Sequence, residues 1–232
     1  MKALIVDDER LARNELRRML ALYADIEIAG EARDAADAAT LLGQLDPDVL
    51  FLDIQMPGGS GFDLLASLDS IPLVIFTTAY DEYALQAFEV SALDYLLKPI
   101  VQERLAAAIA KLRGKLAVAA APSARKQIFV KDGERCWFVN VDDILLLESE
   151  GNYTRLYFGA HKPLIFRSLN YLEGRLDPAR FFRASRRHML NLQFIASIDP
   201  WMNGGFRATL KGGHLVEMSR RQAQKFRELM SL

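Results

Sequence analysis

Short apolar runs alternate with amphipathic segments through the first half of the chain. The apolar runs have the length and composition of strands and lie at residues 3–6, 26–30, 49–54, 73–78 and 94–97. The segments between them have helical spacing and lie at residues 10–23, 34–45, 61–68 and 81–90. A fifth helical segment follows residue 100. These repeats predict an α/β fold, in which helices cover both faces of a doubly wound sheet of five parallel strands.

The second half of the chain has a different pattern, which predicts a mainly β domain. Strand pairs are expected at residues 127–141, 152–167 and 206–218. Helical spacing occurs at residues 168–176 and 219–230. An Ala-rich stretch with Pro122 and Ser123 lies between the two patterns. We therefore predict one domain at residues 1–120, a linker at residues 121–125 and a second domain at residues 126–232.

Charge divides at the same place as the hydrophobic pattern. The whole chain of 232 residues has a net charge of -1, but residues 1–124 hold 11 Lys and Arg against 19 Asp and Glu. Residues 125–232 hold 18 Lys and Arg against 11 Asp and Glu. A basic domain of this size favours an anionic polymer as partner.

The remaining composition favours a cytoplasmic protein. The single cysteine, Cys136, cannot form a disulfide within the chain, which is typical of a reducing compartment. Acidic residues follow the first apolar run directly, and this is not the pattern of a signal peptide. No apolar run is long enough for a membrane helix, so we expect no membrane partner.

Polar residues stand at the ends of four of the five predicted strands in the first half. They are Asp7 and Asp8 at the end of the first strand, Asp53 at the third, Thr78 at the fourth and Lys98 at the fifth. Singly, each has a structural explanation, such as helix capping or a strand end. Because ligands of open parallel sheets bind outside the carboxyl ends of the strands, together they predict one site. Three carboxylates suit a hard cation such as Mg²⁺, and the cation and hydroxyl suit a phosphoryl group.

These residues belong to motifs that resemble the receiver domain of bacterial two-component response regulators. The motifs are "VDDE", "LFLDIQMPGGSGFDLL", "TTAYDEYALQAF" and "DYLLKP", and they cover about residues 1–120. The resemblance implies a flavodoxin-like fold with Asp53 as phospho-acceptor and Asp7 in the acidic pocket. Asp8, Asp53 and the carbonyl of Gln55 would bind Mg²⁺.

The same resemblance implies a phosphorylation switch. Asp53 would receive a phosphoryl group from a sensor histidine kinase, and Thr78 and Lys98 would bind its oxygens. Tyr95 would change rotamer with Thr78 and alter a surface that includes the predicted helix at residues 81–90, the fifth strand and the fifth helix. In this family that surface commonly forms a homodimer, and the Lys98–Pro99 bond is usually cis.

Arginines concentrate in the second half, in "RFFRASRR" at residues 180–187. A second cluster holds Arg220 and Arg221. Arginine binds phosphate and guanine edges with two parallel hydrogen bonds, so these clusters favour nucleic acid. The three histidines are scattered without metal-ligand spacing, so we do not expect an enzyme. We interpret Phe181 and Phe182 as core residues of a neighbouring strand.

This half resembles the LytTR (LytR/AlgR-type) DNA-binding domain over about residues 126–230. The motifs are "DDILLLESEGNYTRLYF", "RSLNYLEGRL", "ARFFRASRRHMLNLQFIASI" and "GGHLVEMSRRQAQKF". The resemblance implies double-stranded promoter DNA as the partner, bound by loops of a mainly β fold. The DNA-binding residues carried over by position are Asn152, Tyr153, Thr154, Arg183, Arg186, Arg187, Arg220 and Arg221.

The arginine stretch departs from the family pattern at two positions. Ser185 stands where His is usual and Arg187 where Ser is usual. The sequence preference of relatives therefore does not transfer directly to this chain. Two other classes remain open from the sequence alone: a receiver-controlled regulator that binds RNA or protein, and a Mg²⁺-dependent phosphohydrolase.

Overall fold

A computed structural model of the protein describes residues 1–79, 92–118, 127–133 and 135–230. The predicted helix at residues 81–90 and the predicted linker at residues 121–125 lie outside these ranges. By its internal contacts the chain divides into two units, Met1–Asn140 and Val141–Leu232. No helix in the described ranges has both the length and the apolar character needed to cross a membrane.

The first unit contains a sheet of five parallel strands with helices between them. The five strands of this sheet are β1 (Lys2–Val6), β2 (Glu27–Ala32), β3 (Val49–Asp53), β6 (Leu73–Thr78) and β7 (Asp94–Leu97). Two short strands, β4 (Gln55–Met56) and β5 (Gly59–Ser60), pair with each other after β3. Its helices are α1 (Arg10–Leu20), α2 (Ala35–Leu45), α3 (Gly61–Ser67) and α4 (Gln102–Val118). The five long strands lie in the order β2-β1-β3-β6-β7. The predicted doubly wound α/β fold is confirmed.

Both faces of this sheet are buried under helices. Successive residues of a strand point to opposite sides, so each strand contributes side chains to two cores. Leu50 and Leu52 of β3 pack in one core with α2 and α3. Val49 and Phe51 pack in a second core with α1 and α4. This explains why β3 is apolar without alternation until it reaches Asp53.

A β-hairpin completes the first unit. It consists of β8 (Gln127–Asp132) and β9 (Arg135–Asn140). The ring of Phe129 stacks on Phe62 of α3 at 5.9 Å between centroids and meets Phe138 edge-on at 5.1 Å. The hairpin pattern was expected to begin the second domain. By its contacts, however, the hairpin shares the core of the first unit.

A polar contact also joins the hairpin to α3. Lys131 Nζ lies 2.6 Å from Asp63 Oδ1. The hydrogen bond from Lys131 lowers the pKa of Asp63 to about 2. The Asp63 carboxylate is therefore charged at neutral pH, and its contact with Lys131 marks the packing of β8 against the start of α3.

Replacing Phe129 by Leu should lower the stability of the first unit. The ring contacts with Phe62 and Phe138 are lost while apolar volume is largely kept, so we expect a loss of about 1 kcal/mol. The chain has two tryptophans, Trp137 in β9 and Trp201 in the second unit, so each unit has its own fluorescence reporter. Urea unfolding in a Trp201→Phe background should show an earlier Trp137 transition.

The matched control uses a Trp137→Phe background, in which Trp201 reports on the second unit. There, Phe129→Leu should leave the midpoint unchanged. If only the Trp201 transition moved, the hairpin would belong energetically to the second unit.

The second unit contains two antiparallel sheets and two helices. The larger sheet consists of β10 (Leu146–Glu150), β11 (Tyr153–Tyr157), β12 (Leu164–Ile165), β13 (Phe181–Arg183) and β14 (His188–Asn191). The smaller sheet consists of β15 (Ile195–Trp201), β16 (Gly205–Leu210) and β17 (Leu215–Met218), and the helices are α5 (Leu169–Glu173) and α6 (Arg220–Met230). The prediction of a mainly β second half is confirmed.

One core joins these elements. Leu146 and Leu190 of the larger sheet pack with Ala208 and Met218 of the smaller sheet and with Phe226 of α6. Phe181 is buried and Phe182 is partly buried against this core, which agrees with their interpretation as packing residues. Arg186 and Arg187 are thereby placed on the turn between β13 and β14.

Candidate functional sites

The carboxyl ends of four parallel strands, β1, β3, β6 and β7, meet around a cavity of about 560 Å³ in the first unit. Asp7 follows β1, Asp53 ends β3 and Lys98 follows β7, and all three line the cavity. The chain leaves β1 toward β2 on one side and reaches β3 on the other. The cavity therefore lies at the point where strand order reverses, which is where open α/β sheets bind ligands.

Lys98 joins the two buried carboxylates of this cavity. Its Nζ lies 2.7 Å from Asp7 Oδ2 and 2.7 Å from Asp53 Oδ2. Burial raises the pKa of Asp53, although the hydrogen bond from Lys98 acts in the opposite direction. Burial also opposes the charge on Lys98, but its hydrogen bonds with Asp53 and Asp7 outweigh this, and the pKa of Lys98 is raised. A fixed cation thus stands beside the Asp53 carboxylate. The Lys98–Pro99 bond is cis, as expected.

Three carboxylates of the cavity can hold a metal ion. Asp7, Asp8 and Asp53 offer oxygen atoms that all lie within 4.8 Å of one another. Asp7 and Asp53 are buried and Asp8 is exposed, so the cluster opens to solvent on the side of Asp8. Gln55, whose main-chain carbonyl was expected as a ligand, lines the same cavity. Its main-chain N–H donates to Asp53 Oδ1 at 3.2 Å. An all-oxygen set with room for water fits a hard divalent cation.

The two predicted switch residues, Thr78 and Tyr95, are buried and do not line the cavity. Thr78 has no exposed surface, and the wall at the end of β6 is formed by its neighbours Thr77 and Ala79. The main-chain oxygen of Thr78 accepts a hydrogen bond from the Lys98 amide at 2.8 Å. Tyr95 is buried in the sheet core and is 7% exposed. In this structure Thr78 is therefore linked to Lys98 through the main chain.

Two further residues support the cavity and were not predicted from the sequence. Arg13 Nη1 donates to the main-chain carbonyls of Asp7 at 2.6 Å and of Asp8 at 3.2 Å, which fixes the loop after β1. At Gly61 a Cβ atom would lie only 2.4 Å from the carbonyl oxygen of Asp53, so the close approach of α3 requires glycine. Two features of the sequence could have indicated these roles: Arg13 lies in the first turn of the helix that follows Asp7 and Asp8, and Gly61 is the first residue of a helix.

Two turns of the second unit lie at the same end of the larger sheet. One joins β10 to β11 at residues 151–152, and the other joins β13 to β14 at residues 184–187. They are linked directly, because the Ser149 amide donates to the Arg187 carbonyl at 2.7 Å. The start of α6 lies beside them, since the Gln222 side chain donates to the carbonyl of Arg183. The structure thus brings together the three segments that were predicted to bind DNA.

The turn at residues 184–187 is held by its own polar side chains. Arg183 Nε donates to the Ser185 carbonyl at 2.7 Å, and its Nη2 donates to the Arg186 carbonyl at 2.8 Å. Ser185 Oγ accepts hydrogen bonds from the amides of Arg187 and His188. Arg183 was predicted to bind DNA, but its side chain is only 16% exposed and also pairs with a glutamate. In this structure Arg183 supports the turn.

Arg186 and Arg187 are both exposed but differ in their partners. Arg187 Nη2 lies 2.8 Å from Glu148 Oε1, whereas no ion pair involving Arg186 is recorded among the described residues. The hydrogen bond from Tyr157, followed by the charges of neighbouring groups, lowers the pKa of Glu148, which keeps this counter-charge ionised. Glu148, which was not predicted, therefore offsets the extra arginine of this chain. Arg186 is the cation that the turn presents most freely.

The other predicted DNA-binding residues divide by exposure. Asn152, Tyr153, Arg220 and Arg221 are exposed. Thr154 was also expected at the interface, but it has no exposed surface, and its hydroxyl donates to the Arg167 carbonyl at 2.8 Å. The side chains of β11 alternate between the two faces of the sheet, so Thr154 points inward where Tyr153 points outward.

Comparison with known proteins agrees with this arrangement. The family model described as the response regulator receiver domain matches residues 3–110, and the LytTr DNA-binding domain model matches residues 134–231. The chain is 38% identical over 242 residues to "Transcriptional regulatory protein BtsR" of Escherichia coli. It is 34% identical over 250 residues to "Sensory transduction protein LytT" of Bacillus anthracis. Both matches cover 100% of this chain and 100% of the relative.

Proposed function

The chain belongs to the response regulators that join a receiver domain to a LytTR DNA-binding domain, and we propose that phosphorylation of Asp53 controls its binding to promoter DNA. The phosphoryl donor is a sensor histidine kinase, and the receiver is residues 1–120. Within the predicted second domain at residues 126–232, the DNA is bound by the second unit, Val141–Leu232. The protein acts in the cytoplasm, where the chromosome and the phosphohistidine of the kinase are found.

The chemistry follows from the contacts of Asp53. Its carboxylate oxygen attacks the phosphorus of a phosphohistidine, so a P–O bond forms as the P–N bond breaks and its electron pair returns to the imidazole. Lys98 then exchanges its contact with Asp53 Oδ2 for a phosphoryl oxygen while it keeps Asp7. The fixed cation offsets charge at the position where the negative charge increases.

Asp7, Asp8, Asp53 and the Gln55 carbonyl would hold Mg²⁺. When bound, the ion offsets the charge of the phosphoryl oxygens as they approach three carboxylates. Two observations support this assignment: the carboxylate oxygens lie within 4.8 Å of one another, and all of the ligand atoms are the hard oxygen atoms that Mg²⁺ prefers.

The switch works through Thr78 and Tyr95. A phosphoryl group on Asp53 offers a new hydrogen-bond acceptor to the Thr78 hydroxyl. Thr78 already accepts a hydrogen bond from the Lys98 main-chain N–H through its own main-chain oxygen. Movement of Thr78 changes the packing of Tyr95 on the neighbouring strand β7, which is paired with β6. Asp94 of β7 binds Arg104 and Lys111 of α4, so strand and helix move together. The altered surface forms a receiver homodimer.

Dimerisation strengthens DNA binding by tethering. Two second units held on one dimer engage paired half-sites, and the second contact becomes intramolecular. The single observation that carries the DNA part of the proposal is the convergence of three exposed basic or polar segments at one end of the second unit. They contain Asn152, Arg186 and Arg220.

A mobility shift with the full chain tests which polymer is bound. Duplex DNA recovered by selection from random sequence and a single-stranded RNA of equal length are compared across a salt series. We expect tight, salt-sensitive binding to the duplex, with a log–log slope of about 0.9 per neutralised phosphate. Tight salt-sensitive RNA binding with indifferent DNA binding would favour the alternative, a receiver-controlled RNA-binding regulator.

A further inference from the structure

Two exposed aromatic rings form a pair at the edge of the larger sheet. Phe166 is 75% exposed and Tyr153 is 46% exposed. Their ring centroids lie 5.2 Å apart in an edge-on arrangement. Isolated exposed apolar side chains are common on protein surfaces. Here, however, two rings contact each other in solvent, so the feature is a surface and not an isolated side chain.

The sheet holds Phe166 in this exposed position. Ile165, before it, pairs with Thr154 as part of the edge strand β12. Arg167, after it, is fixed through its carbonyl by the buried Thr154 hydroxyl at 2.8 Å, and its amide donates to the Ile165 carbonyl at 2.9 Å. The exposure of Phe166 is thus imposed by anchored neighbours on both sides.

The aromatic pair lies at the same end of the sheet as the arginine turn. Tyr153 pairs with Glu150 across the β10–β11 turn, and Glu148 of the same strand pairs with His188, which directly follows the arginine turn. Arg167, which directly follows Phe166, and Arg175 both lie over the ring of Tyr171, at 5.6 and 5.5 Å from its centroid. Cations therefore lie next to Phe166 in the chain as well as on the arginine turn.

This combination identifies the partner as a polyanion that also presents an apolar group. Cations beside the aromatic pair and on the arginine turn disfavour an uncharged protein surface. Duplex DNA offers phosphates for the arginines, and in its major groove the thymine C5-methyl is the apolar group. Phe166 has no polar atom with which to read any other edge.

We propose that Phe166, supported by Tyr153, contacts thymine methyl groups in the duplex bound by the Arg186 turn. The inference rests on the proposed DNA-binding function and adds a sequence-reading residue to it. Phe166 specifies thymine by apolar contact, while the arginine turn reads hydrogen-bonding edges. Tyr153 is a positioning residue, because its ring fixes the orientation of Phe166.

Uracil substitution tests this contact one methyl group at a time. Each thymine of the selected duplex is replaced by uracil, and binding of the full chain is measured for the unmodified protein and for Phe166→Ala. At one or two positions uracil should weaken binding by the unmodified protein about three- to fivefold, which corresponds to one buried methyl group. Phe166→Ala should lose the uracil effect at those same positions. Phe166→Leu should retain part of it.

The matched control is Leu215→Ala, which removes an exposed apolar side chain at the end of β17 far from Arg220. It should keep the full uracil effect. Unchanged uracil profiles in Phe166→Ala, or indifference of the unmodified protein to every uracil, would overturn the thymine assignment while DNA binding stands. Loss of single-stranded RNA binding alone in Phe166→Ala would mean that the ring stacks on unpaired bases. Absence of any duplex binding would overturn the proposed function as well.

Discussion

Asp53→Asn is expected to abolish phosphoryl transfer to the protein. The substitution keeps the size and shape of the side chain but replaces the anionic oxygen that attacks phosphorus by a neutral NH2 group. It also removes one of the two carboxylates that bind Lys98. Incubation of the full chain with acetyl phosphate and Mg²⁺, followed by intact-mass measurement, should show one added phosphoryl group in the unmodified protein and none in the variant.

Asp63→Asn provides the control for this loss. Asp63 is an aspartate at the start of α3 that binds Lys131 and does not line the cavity. Labelling of Asp63→Asn should remain normal. Persistent labelling of Asp53→Asn at another residue would show that the acceptor was named wrongly. Multiple turnover of acetyl phosphate without a labelled intermediate would favour a phosphohydrolase.

Arg186→Ala is expected to cost about 1–3 kcal/mol of binding free energy on a selected duplex, because a guanidinium that reads a base is lost. Arg186 is exposed, and its turn is already held by Arg183 and Ser185, so the substitution should not disturb the fold. The same variant should lose much less affinity for random DNA. Fluorescence anisotropy with both duplexes at fixed salt gives the two values.

Lys162→Ala is the matched control for Arg186→Ala. Lys162 is also exposed, but it precedes β12 at the opposite end of the same sheet. Its removal should leave specific binding nearly unchanged. An equal loss of affinity for selected and random DNA in Arg186→Ala would instead make Arg186 a phosphate contact.

Residue types at strand ends made the cavity around Asp53 predictable. A parallel sheet places the ends of β1, β3 and β7 at one edge, so Asp7, Asp53 and Lys98 meet whatever the details of packing. The support from Arg13 was not predictable, because its targets are main-chain carbonyls that carry no sequence signal. Gly61 was equally hidden, since its role depends on the distance between α3 and the Asp53 carbonyl.

The turns that we propose to bind DNA were predictable in position but not residue by residue. Charge and motif order located the segments, whereas the direction of each side chain depends on strand register. The side chains of Thr154 and Arg183 donate hydrogen bonds to main-chain carbonyls within the domain. Tyr153 and Arg186, in the same two segments, face solvent. Likewise, the pattern of β8 and β9 predicted a hairpin but could not show that Phe129 packs against α3.

The effect of phosphorylation on DNA affinity tests the central claim most directly. The Kd of the full chain for a duplex with two half-sites is measured with and without acetyl phosphate and Mg²⁺, in parallel with Asp53→Asn. Coupling between the two sites of an allosteric protein is typically 1–3 kcal/mol, so we expect phosphorylation to tighten binding about 5–150-fold in the unmodified protein and not in the variant. Equal affinity in both states, or an equal response in Asp53→Asn, would contradict control of DNA binding by Asp53.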